Sequence, residues 1–262
     1  MKRYPTFFDI LAVIGVFVFS SLAAGATVGA VMMLAGASQG VMTAVVYPIP
    51  MVCTALFAFF YARGRGEGQM PAIRFALPPR QWGLVLGGVV LMLAVSVVLE
   101  PLLALFPIEW IEFLNMQLGR GWLTILTTVV MAPILEELLF RGLLQHSTVN
   151  RYGPVAGIVI AAAVFGVIHF IPQQVVNAFA LGLVLGWVYY KTRSLTAVIL
   201  MHAANNGLSY YLMGIGPADA TVQDVLPEPW MYYALYAACV LIVVAGAVLI
   251  SGDLGKNRTA EQ

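Results

Sequence analysis

Apolar stretches about as long as a bilayer is thick follow one another along this chain with little polar sequence between them, and this restricts the fold more than any other feature. A helix of about 20 apolar residues crosses the roughly 30 Å hydrocarbon layer while satisfying its own backbone hydrogen bonds. Of the 262 residues 61% are apolar and 10% charged, and the mean hydropathy is +0.91, far from the mixture of a soluble domain. The polar sequence left over is too short for a separate soluble domain. The expected fold is all-α, a polytopic transmembrane helical bundle.

Hydropathy predicts about eight spans: Phe7 to Leu34, Val41 to Tyr61, Trp82 to Leu105, Trp122 to Leu144, Val155 to Ile171, Val175 to Tyr190, Leu195 to Met213 and Trp230 to Ile250. The fifth and sixth are short and separated only by Pro172, Gln173 and Gln174, a turn that also suits a re-entrant pair. With the amino terminus cytoplasmic, this count collects Lys2, Arg3, Arg63, Arg65, Arg74, Arg80, Arg151, Lys191, Arg193, Lys256 and Arg258 on the cytoplasmic face, with Arg141 near it. Only Arg120 falls outside, whereas the opposite loops hold Glu109, Glu112, Asp219, Asp224 and Glu228. That asymmetry supports the span count and puts both termini in the cytoplasm. The first 26 residues have some features of a signal peptide, but the apolar run is longer than a signal core and carries Asp9 at its start, so the segment is expected to be retained.

A net charge of +1, with basic residues confined to short loops, argues against nucleic-acid binding. Cys53 and Cys239 lie inside apolar runs without zinc-module spacing and are expected to be buried thiols. Pro107 to Leu118 spaces its apolar residues as a helix does, either on the outer membrane surface or packed as a loop helix on the bundle.

Ionisable groups inside a membrane are costly, so those within the apolar runs carry the most information. They cluster in the second half: Glu136, Glu137 and Arg141 (EELLFR), Phe165 and His169 (FGVIH), and His202, Asn205 and Asn206 (HAANN). Adjacent helical residues point about 100° apart and residues four apart share a face. Glu137 should therefore pair with Arg141, leaving Glu136 directed elsewhere as a candidate base. A carboxylate in an apolar site beside an imidazole such as His169 can activate water. His202 and Asn206 present two donors on one helix face, as a developing oxyanion requires. Glu100 and Asn177 read as structural, and His146 as a loop residue past the fourth span. No G-x-S-x-G elbow occurs, and Asp9, Asp219, Asp224 and Asp253 sit at or beyond span ends, so serine and aspartyl protease sites are not expected.

The three motifs, in this order and each on its own apolar segment, resemble those of the CPBP family, which includes type II CAAX prenyl endopeptidases and bacteriocin-processing and immunity proteins. The resemblance runs from about Trp122 to Leu208 and takes in the Gly182 to Gly186 small-residue spacing. It implies a peptide-bond hydrolase in which Glu136 and His169 activate water, His202 and Asn206 stabilise the oxyanion, and Glu137, Arg141, Phe165 and Asn205 support them. No cofactor is required in that scheme. The family is also described as metal-dependent, and Glu136, His169 and His202 could instead hold a zinc ion, although the H-E-x-x-H motif is absent. Spans four to seven form the catalytic core at 121–213, preceded by spans one to three with the interfacial segment at 1–120 and followed by the last loop, span and tail at 214–262.

The expected partners are the lipid bilayer and a peptide or protein substrate, lipidated or not, in a bacterial inner membrane. Water is expected to reach Glu136 from the cytoplasmic side, where the fourth span ends. A non-catalytic binding or immunity protein is the main alternative. A transporter fits less well, because no internal repeat is seen and the polar groups occupy one half of the chain.

Overall fold

A computed structural model describes residues 4–65, 73–118, 121–215 and 221–260. Lys2, Arg3, Arg120 and Asp219 lie outside the described residues, as do the side chains of Lys256 and Arg258. The described residues are almost entirely helical and contain no strand. In chain order the helices are α1 (Phe7–Leu34), α2 (Gln39–Gly64), α3 (Pro79–Leu103), α4 (Glu109–Leu118), α5 (Trp122–Tyr152), α6 (Pro154–Val167), α7 (Pro172–Thr192), α8 (Leu195–Ile215), α9 (Val222–Val225) and α10 (Pro229–Ala260). Six of them, α1, α2, α3, α5, α7 and α10, are long and apolar enough to cross a membrane. The other two expected spans are also helices: α6 is apolar but short, and α8 carries the polar motif His202, Asn205 and Asn206.

The helices pair mainly as antiparallel neighbours, α1 with α2 and α6 with α7, while α5 is enclosed by α2, α6 and α8. Thr6 and Asp9 form a capping box at the start of α1, and Asp9 also accepts the Tyr61 hydroxyl and pairs with Arg65 at 3.2 Å. One carboxylate thus starts α1 and fastens it to the end of α2. At the periphery α10 packs chiefly on α3 and exposes Leu241, Val244, Val248 and Leu249, a surface suited to lipid rather than water. Helix α4 forms as the spacing predicts and packs against α2 at one end of the bundle.

Prolines shape the helices that carry the site. Pro48 and Pro50 interrupt α2 just after Tyr47, where a missing backbone donor and the ring clash bend a helix. In α5, Pro133 follows a π-helical segment, Leu126–Met131, and a second one covers Leu138–Gln145. Wide turns of this kind absorb a broken hydrogen-bond ladder and rotate the side chains that follow. The α-helical piece Ala132–Glu137 between them holds both glutamates.

Helix α6 has 14 residues, about 21 Å of rise at 1.5 Å per residue, less than the hydrocarbon thickness. It stops within the bundle, and Phe170, at φ 59°, turns the chain directly into α7. His169 sits in that turn at depth rather than at a membrane surface. The expected close packing at Gly182 and Gly186 is present. A Cβ at Gly182 would stand 3.2 Å from the Ala162 methyl, and one at Gly186 would stand 2.8 Å from Ile158 and 2.9 Å from Gln145. Bare backbone there lets Arg141 and Gln145 of α5 reach the carbonyls of Gly182 and Gly186, at 3.4 and 2.8 Å.

Candidate active site

The two adjacent glutamates of α5 have separate surroundings. Glu137 is fully enclosed, and its Oε1 accepts from Arg141 at 3.0 Å and from His202 Nδ1 at 2.8 Å. The predicted Glu137–Arg141 pair is therefore present, at 0% and 1% exposure. Arg141 also lies over the Phe165 ring at 4.5 Å, so its guanidinium is held by a carboxylate, a carbonyl and an aromatic face.

Glu136 points towards the other side of the helix. Its Oε1 accepts the Tyr47 hydroxyl. Its Oε2 is buried without a hydrogen-bond partner and lies 3.8 Å from His202 Nε2. The sequence reasoning missed Tyr47, which is 89 positions away on α2. The one local signal is its place before Pro48-Ile49-Pro50, a break in an otherwise apolar helix.

Hydrogen bonding fixes the imidazole orientations. His169 Nδ1 lies 2.7 Å from the Phe165 carbonyl oxygen, which can only accept. The proton is therefore on Nδ1, and Nε2 is left as the basic nitrogen. His202 Nδ1 donates to Glu137 by the same reasoning, which leaves Nε2 on the Glu136 side. Phe165 meets both imidazoles edge-on, with centroids at 5.0 Å from His169 and 5.8 Å from His202. Asn206 donates to the Thr128 carbonyl at 3.0 Å, so its expected free donor is engaged in this state. Asn205 donates to Asn206 at 3.4 Å.

Glu136, His169, His202 and Asn206 line one cavity of about 420 Å³, together with Phe17, Tyr47 and Met51 from the first two spans. The pocket thus draws on residues before 121 as well as on spans four to seven. A polar chamber of about 160 Å³ adjoins it, lined by Phe165, His169, Asn177, His202, Asn205 and Asn206. Asn177 faces this chamber and approaches Ser96 at 3.5 Å, which fits the structural role expected of it. Glu100 lies apart, accepting the Val222 backbone N–H at 2.6 Å.

Three expectations are corrected. On α5, the lining residues Thr128 and Ala132 precede Glu136, and on α8, Ser209, Tyr210 and Met213 follow His202. Because α5 and α8 are antiparallel, both sets run towards the same end, where Tyr210 and Gly121 meet at 3.0 Å. In the other direction Leu139, Phe140, Leu143 and Leu144 pack the core, so water does not reach Glu136 from the carboxy-terminal end of the fourth span. Cys53 faces outwards from α2 and only Cys239 is buried. His146 belongs to the last turns of α5, where it meets Asn150 at 2.9 Å, because the helix continues to Tyr152.

Glu136, His169 and His202 share the cavity, yet among the described residues no three His, Cys, Asp or Glu side chains converge as a ligand set for a metal ion. His202 uses Nδ1 on Glu137 and His169 uses Nδ1 on a backbone carbonyl, which leaves Nε2 of each ring for a proton or a ligand.

Residues 118–208 match the family model of type II CAAX prenyl endopeptidases, Rce1-like. No curated protein and no solved structure matches the chain.

Proposed function

From the premise that residues 118–208 are an Rce1-like domain of the CPBP family of intramembrane proteases, we propose that the protein is an endopeptidase hydrolysing peptide bonds of membrane-associated substrates with water activated by Glu136 and His169. The observation that carries this reading is Glu136, whose buried Oε2 has no hydrogen-bond partner, on the wall of a cavity it shares with both imidazoles.

A water held between Glu136 and His169 Nε2 gives up a proton to the Glu136 carboxylate as its oxygen attacks the scissile carbonyl carbon. The carbonyl electron pair moves onto oxygen, where Asn206 Nδ2 and the Nε2–H of a protonated His202 stabilise the charge. To do so Asn206 exchanges the Thr128 carbonyl for the oxyanion. The abstracted proton then passes to the departing amine nitrogen as the carbon–nitrogen bond breaks. Glu137 is a positioning residue: it fixes the ring of His202 and is itself held by Arg141. None of these steps is routed through a divalent ion.

The test is cleavage of a library of membrane-anchored peptides, prenylated members included, by purified protein in liposomes. Glu136→Gln and His169→Ala should each lose about a hundredfold or more in kcat while unfolding at the wild-type temperature, and chelator should leave the wild-type rate unchanged. Loss of activity with chelator and recovery with zinc would replace the glutamate mechanism by a metal-dependent one. A well-folded protein that cleaves nothing in the library would turn the assignment to a binding or immunity role.

A further inference from the structure

The cavity mouth and the loop charges identify the side of the membrane from which this site is served. Every described Lys or Arg outside the buried Arg141 lies at the closed end of the bundle: Arg63, Arg65, Arg74, Arg80, Arg151, Lys191 and Arg193. Contacts tie these segments together, with Arg65 on Asp9 at 3.2 Å, Lys191 on Asp253 at 2.7 Å, and the Tyr152 hydroxyl on the Pro5 carbonyl at 2.7 Å. The open end carries Glu100, Glu109, Glu112, Asp224 and Glu228, and no Lys or Arg among the described residues. Short basic loops stay in the cytoplasm.

We propose that the catalytic cavity opens to the extracytoplasmic side, so that the substrate is a peptide segment presented at the outer surface of the membrane and not a cytoplasmic tail. This rests on the endopeptidase reading above and narrows its substrate class. The depth of the site adds a second requirement. Glu136 lies 14 residues into α5 from Trp122, about 20 Å below the open end at 1.5 Å per residue. An extended chain covers that distance with about six residues at 3.3 Å each. Thr128, Ala132, Ser209, Tyr210 and Met213 line the way, with no charged side chain among them, so the inserted stretch is uncharged.

Orientation is measured without reference to activity. In a Cys53→Ser, Cys239→Ser background, one cysteine is placed at Ser209, exposed on the cavity wall, or at Arg193, exposed at the closed end. Spheroplasts are treated with a membrane-impermeant maleimide before and after lysis. Ser209→Cys should label in intact spheroplasts and Arg193→Cys only after lysis, and the reverse pattern overturns the proposal. In parallel, peptides are added outside liposomes whose protein orientation has been sorted by the same labelling. Cleavage should require the Ser209 face outwards, and should drop at least tenfold when fewer than about six uncharged residues separate the scissile bond from a bulky charged block. Cleavage from the Arg193 face overturns this inference and leaves the endopeptidase reading standing. The expected labelling with no cleavage from either face removes the endopeptidase reading, and with it the substrate class, while the orientation holds.

Discussion

Replacing Glu137 by methionine strands the Arg141 charge. The guanidinium, 1% exposed, would keep a carbonyl at 3.4 Å and the Phe165 ring at 4.5 Å but lose its carboxylate at 3.0 Å. Removing one partner of a buried ion pair costs about 3–5 kcal/mol, because the remaining charge stays desolvated and uncompensated. At about 2–4 °C per kcal/mol for a chain of this size, Tm should fall on the order of 10 °C. Arg141→Met should cost less, since Glu137 still accepts a hydrogen bond from His202. The double variant Glu137→Met, Arg141→Met removes both charges and fills the space with similar volume, so it should be more stable than Glu137→Met alone.

The assay is a double-mutant cycle on thermal unfolding in detergent, followed by tryptophan fluorescence, with a coupling energy expected above about 2 kcal/mol. Cleavage should stay lost in the double variant, because His202 no longer has the carboxylate that orients it. A double variant that unfolds at or below the temperature of Glu137→Met would show that the stranded charge is not the dominant cost.

Tyr47→Phe removes one hydroxyl donated to Glu136, and a hydrogen bond to a charged group is worth about 1.5–3 kcal/mol; kcat should fall about tenfold or more with Tm nearly unchanged, and an unaltered rate would detach Tyr47 from the site. Asn206→Ala should lower kcat by about a hundredfold while leaving KM within a few-fold, whereas a change confined to KM would make Asn206 a binding residue. Gly157→Ala places a Cβ 2.4 Å from the Val149 backbone nitrogen and must spread α5 from α6, while Gly87→Ala meets nothing within 4 Å. The first should lower Tm clearly and the second should leave it equal or raise it, by up to about 1 kcal/mol of helix propensity; similar shifts in both would mean that the α5–α6 contact has room to relax.

What the sequence made legible follows from how local each relation is. The Glu137–Arg141 pair needs only helical spacing, and it forms even though Arg141 lies in a π-helical segment. The convergence of EELLFR, FGVIH and HAANN comes from the cost of leaving ionisable groups alone in lipid, which drives them onto one another. Tyr47 was hidden because a tyrosine in an apolar span has many ordinary uses, and its partner is 89 residues away. The π-helical segments were hidden because their hydrogen-bond shift depends on Pro133 and on the packing of neighbouring helices. The direction of access was misread because loop charge orients the chain but says nothing about which half of a helix faces a cavity. Leu139 to Leu144 and Thr128 to Ala132 are both largely apolar, and only packing distinguishes plug from wall.

The adjacency of the two glutamates has a physical logic. An ionised base inside a bundle needs nearby positive charge to remain ionised, but a cation bonded directly to it would quench its basicity. Placing the cation's partner at the next residue separates these demands, since the side chains diverge by about 100° while their charges stay within a few ångströms. Arg141 and His202 bond directly to Glu137, and Glu136 feels the Arg141 charge at longer range from the cavity wall. Each carboxylate keeps one unbonded oxygen, but only Glu136 lines the cavity, whereas Glu137 is tied to Arg141 and His202, which is why two identical residues, side by side, cannot exchange roles.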